Sequence, residues 1–441
     1  MSKQNVSVSN NFHFDITSSA ALINRTIYFA QSKSDTQQLV SVSSTAAGPG
    51  EYGQTGFNLM MFDKSSGLKN RYCYISDSLS NYTAQIANCA DQDGSGNIWV
   101  GGVANGPNFG KAYVTELDKM GNIVLSKAFV KKENAYTYKR CVVDNIKVLK
   151  NGDILLLLAE QYDVQLIRMK PDGTVIWNKQ YAFTNASVFI LAQGHNSFIT
   201  ENAQGDIFFM SNQAYFTYGG TYLTRVTSAG NLVYTVGYQG IGYSLYLQLK
   251  FLSTGELLLF GQNGASSVPF IVKVKPDDGS VINSYTLSPI AGGNNAPVTI
   301  NDIEEVNGKI EAGVTSGPEY DIFTFNSNFI NTGTVKTLAT SSGAIPTAAF
   351  IYDSQTNALY HVSDVKGPAP TSFIQFLRTD ADGKSCHDPY TKAALGITLS
   401  SFDAGFSQAA TMLVSDDVPG DTPIKFIKSP VIATNNDACG R

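Results

Sequence analysis

The stretch 144–181, DNIKVLKNGDILLLLAEQYDVQLIRMKPDGTVIWNKQY, decides the fold. Its segments are rich in β-branched and aromatic residues, and none keeps a helical period. Asn151-Gly152 and Asp172-Gly173 interrupt it where tight hairpins need positive φ. The segments DNIKVLK, DILLLLAE, VQLIRMK and TVIWNKQY therefore read as four short antiparallel strands.

The same phrase recurs along the chain. One series of turns is marked by Gly96, Gly152, Gly205, Gly255, Gly308 and Asn357, spaced 49 to 56 residues apart. A second is marked by Gly67, Gly121, Gly173, Gly230, Gly279, Gly333 and Gly383, spaced 49 to 57 apart. Two series with one shared period specify a repeat architecture. Four strands per unit and seven markers predict an all-β fold, a seven-bladed β-propeller of four-stranded antiparallel blades over 21–388. Unit one reads as irregular, with RTIYFAQS, a long insert over 34–55, then GFNLMMFD.

The last unit lacks an outer strand, because KSCHDPYT after Gly383 is not strand-like. The N-terminal segment 1–20, with VSNNFHFDI, is the favoured donor to close the ring. Rival candidates lie in 389–441, which otherwise reads as a β extension, a hairpin packed outside the ring.

Composition narrows the class. Of 441 residues, 43% are apolar, enough for a sizeable core, and only 15% are charged, against a usual quarter. Such a polar, weakly ionic surface points to an extracellular or cell-surface setting. The net charge of −5 leaves no basic footprint for nucleic acid. No apolar run approaches the roughly 18 residues that span a bilayer. The N-terminus shows no apolar signal region, so the alternative is cytoplasmic synthesis with assembly into a particle. Cys386 and Cys439 bracket the C-terminal segment and could pair in an oxidising compartment; five free thiols are the alternative.

DGSGNIWVGG followed by YVTELDKMGNIVLSKAF resembles the bacterial β-propeller repeat D-x-x-G-N-x-Y-V-x-G with K-L-D-x-x-G. IRMKPDGTVIWNKQY is similar to that repeat and to quinoprotein-like repeats, and FLRTDADGKSCHD resembles the array end of secreted Bacteroidetes-type propellers. The resemblance spans roughly 21–388 and implies a fold and a surface or binding role, not an activity. Trp99 and Trp177 are the only tryptophans, so the regular blade tryptophan of quinoprotein enzymes is missing.

DQDGSGNIWVGG also looks like the front of a calcium loop. Asp91, Asp93 and Ser95 would give side-chain oxygens and Asn97 a carbonyl. The closing acid is missing, since the ninth and twelfth positions are Trp99 and Gly102. The same slot in other units (VLKNGDIL, ENAQGDIF, FLSTGELL) lacks the acid ladder, so a plain turn is favoured and no cofactor is implied.

Both turn series fall on one face of a propeller, which puts the long connections on the other. Loops on rigid scaffolds carry recognition. That face would hold Tyr136, Tyr138, Tyr215, Phe216, Tyr218, Tyr238 and Tyr243, suited to stacking on sugars or anchoring a protein; packing against the next blade is the plainer use of any one of them. His13, His195, His361 and His387 are scattered, and no catalytic signature appears. Carboxylate pairs exist, such as Asp302 with Glu304 and Glu305 on an inner strand or its approach, where the two glutamates read as strand-edge charges. The sequence favours a non-catalytic module binding a protein or glycan. A structural particle component and a polysaccharide hydrolase or lyase with axial acids are the alternatives.

Overall fold

The computed structural model describes the strands named below and most turns between them. Outside its described residues lie 1–12, 18–21, 47–55, 65–66, 77–83, 106–109, 133–137, 140–141, 160–162, 184–187, 190–198, 214–219, 290–297, 340–347, 367–371, 381–396 and shorter connections, chiefly beyond 401. Gly383, Cys386, His387 and Cys439 fall among these.

The protein is an all-β propeller of four-stranded antiparallel blades. Six blades each use four consecutive strands, inner to outer. Blade 1 holds Leu22–Gln31, Gln38–Ala46, Gly56–Asp63 and Gly67–Ser76. Blade 2 holds Ala84–Gln92, Ile98–Asn105, Gly110–Leu117 and Ile123–Lys132; blade 3 holds Val143–Val148, Ile154–Ala159, Asp163–Met169 and Val175–Phe183. Blade 4 holds Ile199–Glu201, Ile207–Gln213, Gly220–Val226 and Leu232–Tyr238; blade 5 holds Ser244–Phe251, Leu257–Asn263, Pro269–Val274 and Val281–Pro289. Blade 6 holds Val298–Val306, Lys309–Ser316, Glu319–Phe325 and Asn331–Ala339. A further, composite sheet joins Ala348–Asp353, Ala358–Lys366 and Ser372–Asp380 to the N-terminal strand His13–Thr17. Each sheet packs on the next, and the composite sheet contacts both blade 6 and blade 1.

Packing explains the sequence pattern. Alternate side chains of a strand point to opposite faces. In Ile154–Ala159, Leu155 and Leu157 enter a core shared with Phe209 of blade 4, while Ile154, Leu156 and Leu158 enter one shared with Trp99 and Val114 of blade 2. Both faces are buried, so the strand reads as an unbroken apolar run. Burying one such leucine contributes about 1.5–3 kcal/mol.

Three expectations need correction. The supposed insert at 34–55 contains a blade strand, Gln38–Ala46, disguised by Ser41, Ser43 and Ser44, which are all buried. Gly333 is not a turn residue but lies within Asn331–Ala339. The turn runs through Asn326–Phe329, and Phe329 itself takes φ +58°. A bulky residue there is strained; burial against Phe325 and Tyr285 offsets the strain, with ring centroids 6.2 and 5.5 Å away.

The C-terminal segment is not a hairpin. It is a belt of short strands, each antiparallel to the outermost strand of a different sheet. Ile397–Ser401 pairs with blade 5, Phe406–Gln408 with blade 4 and Met412–Asp416 with blade 3. Gly420–Pro423 pairs with blade 2, Phe426–Pro430 with blade 1 and Asn435–Asp437 with His13–Thr17. Exposed strand edges template aggregation, and covering them is the usual remedy. The belt meets the later half of the outer strands in blades 2 to 4. Their early residues Val124, Ile176 and Val233 stay outside it and are 59%, 44% and 46% exposed.

Deleting residues 397–441 is expected to lower the melting temperature and to cause concentration-dependent association in light scattering. An unchanged monomer would show that the belt does not protect the rim.

Candidate functional site on the hairpin face

The short turns share one design. In blade 2, Asp93 Oδ1 accepts from the backbone N–H groups of Ser95 and Asn97, both at 2.8 Å, with Gly96 at φ +90°. In blade 4, Asn202 Oδ1 does the same for Gln204 (3.0 Å) and Asp206 (2.8 Å), with Gly205 at φ +85°. A neutral amide replaces the acid without changing the turn, so the oxygen matters and the charge does not.

Asp91 works elsewhere. Its Oδ2 accepts from Val148 N of blade 3 at 2.8 Å and faces Lys147 Nζ at 3.2 Å; its Oδ1 takes Gln92 N at 2.8 Å. Asp91 joins two blades while Asp93 shapes a turn. Of the set Asp91, Asp93, Ser95 and Asn97, the two acids thus engage different backbone partners.

A second pattern was invisible in the sequence. An outer-strand side chain of one blade donates to a turn carbonyl of the next. Tyr74 Oη reaches Gly121 O at 2.5 Å, Tyr181 Oη reaches Gly230 O at 2.7 Å and Tyr238 Oη reaches Gly279 O at 2.8 Å. Blade 2 carries Phe129 in the corresponding place, and there Lys127 Nζ reaches Gly173 O at 2.7 Å. Each bond contributes about 0.5–1.5 kcal/mol, less than one buried leucine, but it is directional and sets blade-to-blade register.

This corrects one expected ligand residue. Tyr238 is fully buried, and burial raises its phenol pKa well above the ordinary value. Tyr136, Tyr215, Phe216, Tyr218 and Tyr243 lie outside the described residues; Tyr138 opens the short strand Tyr138–Lys139 beside blade 2.

Charges on this face are paired across strands. Arg168 Nη2 meets Asp153 Oδ2 at 2.6 Å, Arg225 Nη2 meets Asp206 Oδ2 at 2.6 Å and Lys273 Nζ meets Glu256 Oε2 at 2.6 Å. Blade 2 breaks the pattern by placing Glu116 where the others place a cation, opposite Asn97, whose Nδ2 donates to Oε1 at 3.1 Å. Burial, then Asp93, pushes the Glu116 pKa up to about 7. Asp302, on the inner strand of blade 6, is also pushed up to about 7 by burial and by Glu304. Glu304 is held by Lys250 Nζ at 2.5 Å, and Glu305 accepts from Ser253 N at 2.7 Å and Ser253 Oγ at 2.6 Å. Glu304 and Glu305 thus tie blade 6 to blade 5, while Asp302 Oδ1 accepts from Ile303 N of its own strand at 2.8 Å.

Between blades 3, 4 and 5 the turns part to leave a cleft of about 590 Å³. Its walls include Lys150, Glu201, Asn202, Gln204, Phe251 and Asp277. Lys150 N donates to Glu201 Oε2 at 2.8 Å and Lys150 Nζ to Asn202 O at 3.0 Å, tying blade 3 to blade 4. Arg225 ties blade 4 to blade 5 through Pro276 O and Asp277 O, both at 3.3 Å. The first turns of blades 1 and 2 abut, since a Cβ on Gly96 would lie 2.2 Å from Ser34 Oγ; a Cβ on Gly255 would meet nothing within 4 Å.

No helix among the described residues is long and apolar enough to cross a membrane. No family model matches the chain, and no curated protein matches it in sequence. Solved structures match the chain at low identity. The polysaccharide lyase Uly1 is 9% identical, with TM-score 0.44, over 81% of this chain and 90% of that one. The Dos1 propeller is 10% identical, with TM-score 0.43, over 84% and 95%. The NanB sialidase from Streptococcus pneumoniae is 10% identical, with TM-score 0.43, over 87% and 73%.

Two outcomes follow from the bonding. Glu116→Gln should stabilise the protein above pH 7 and do little near pH 4.5. A carboxyl raised in the folded state favours folding below its unfolded pKa, and that contribution is lost as pH rises through the folded value. Thermal melts at pH 4.5 and 8 read this. Tyr238→Phe should cost about 1 kcal/mol in denaturant melts by orphaning Gly279 O; an unchanged midpoint would remove the clasp from the account. By the order and pairing of its own strands, the chain is a β-propeller.

Proposed function

We propose that the chain is a non-catalytic binding propeller that recognises a glycan or protein surface through its long-loop face, outside the cell or at its surface. The composite sheet is taken as the seventh blade, so that His13–Thr17 closes a seven-bladed ring with the C-terminal belt outside it. The observation that carries the reading is the asymmetry of the two faces. Antiparallel order puts the turns between strands one and two and between strands three and four on one side, cross-braced by Tyr74, Lys127, Tyr181 and Tyr238, and the connections between blades, most of them longer, on the other. A braced ring that displays long loops is the arrangement recognition requires. The weakly charged surface supports an extracellular setting.

Hydrolase or lyase chemistry would need two carboxylates converging on one bond. Glu304 is bonded to Lys250 of blade 5 and Asp302 accepts from Ile303 N of its own strand, and neither engagement favours the axial-acid alternative.

A glycan array with the wild type and with a Tyr215→Ala, Tyr218→Ala double variant tests the sugar version. Binding lost in the double variant supports it. No bound glycan, or binding unchanged in the double variant, rejects it.

A further inference from the structure

We propose that the cleft between blades 3, 4 and 5 on the hairpin face is a second binding site, for a short neutral oligosaccharide. It is separate from the loop face and does not depend on it. A volume of about 590 Å³ falls within the roughly 300–1,000 Å³ of small-molecule sites.

The wall chemistry selects the ligand class. Arg225 is spent on Asp206 and on two carbonyls of blade 5, and Lys150 is spent on Asn202 O. Glu201 takes Lys150 N. Glu201 and Asp277 bring two negative charges to the lining and Lys150 and Arg225 two positive ones, so the wall has no net charge to select an anionic ligand. What remains is hydrogen-bonding capacity without net charge. Asn202 uses its Oδ1 on its own turn and keeps its Nδ2 donors, Gln204 presents an exposed carboxamide, and the Asp277 side chain is 97% exposed. Phe251, Leu252 and Pro276 add an apolar wall. Phe251 is set edge-on against Phe208 at 5.3 Å, and Phe208 in turn lies under Arg225. A pyranose has the complementary surface, with C–H groups on one face and hydroxyls at the rim that both donate and accept.

The walls are also preorganised. They come from three blades held together by Lys150 and Arg225, so little ordering cost attends binding.

Titration calorimetry with cellotetraose, chitotetraose and maltotetraose, and with tetragalacturonate as the charged control, tests the site. At least one neutral tetrasaccharide should bind saturably. Ala203→Trp, which fills the cleft from an exposed turn position, should weaken that binding by about tenfold or more. Gln204→Ala should weaken it less. Both variants should melt as the wild type does, and Tyr215→Ala with Tyr218→Ala should leave this binding unchanged. No binding of any neutral tetramer, preference for tetragalacturonate, or binding indifferent to Ala203→Trp would overturn the proposal. Binding lost only in the tyrosine double variant would also overturn it, while supporting the loop face.

Discussion

Each blade buries both faces against its neighbours, and the other features of the molecule follow from that constraint. A blade such as that of Ile154–Ala159 contributes to two cores at once, one with Trp99 and one with Phe209. It cannot complete either core alone. Stability therefore accrues only as blades stack, and a stack that ended in an open sheet would leave an apolar face in water. The composite sheet, built from 348–380 and the N-terminal strand, removes that end by packing between blade 6 and blade 1.

Stacking the faces does nothing for the edges. The outermost strand of every blade has a row of backbone groups with no partner inside the blade. The C-terminal belt supplies partners to blades 5, 4, 3, 2 and 1 in turn, and then to the N-terminal strand. Hydrophobic burial holds the ring together and hydrogen bonding finishes its rim. The two tasks fall to different parts of the chain.

The polar groups of the hairpin face obey the same economy. Asp93 and Asn202 shape turns, Asp91 and Lys127 join blades, and tyrosines that could have served recognition donate to turn carbonyls instead. Glu116, placed where other blades put a cation, has its pKa pushed up to about 7 because burial and Asp93 oppose its charge. Between blades 3 and 5 the turns separate enough to leave a cleft with hydrogen-bonding groups on its walls.

The sequence alone determined the strand repeat, the turn positions marked by Gly96, Gly121, Gly152, Gly173, Gly205, Gly230, Gly255 and Gly279, and the double-sided burial written in DILLLLAE. These are local: a positive φ needs glycine, and an unbroken apolar run needs two cores. It missed Gln38–Ala46 because a serine-rich run looks like a loop although its serines are buried, and it misplaced the blade 6 turn because Phe329 adopts a glycine-like φ that its burial by Phe325 and Tyr285 stabilises. Tertiary structure decided the belt, the fate of Tyr238 and the existence of the cleft. Each depends on which residues meet across the molecule, about one repeat apart for Tyr238 and the cleft and far more for the belt, and that pairing is set by three-dimensional register, of which a linear pattern carries no trace.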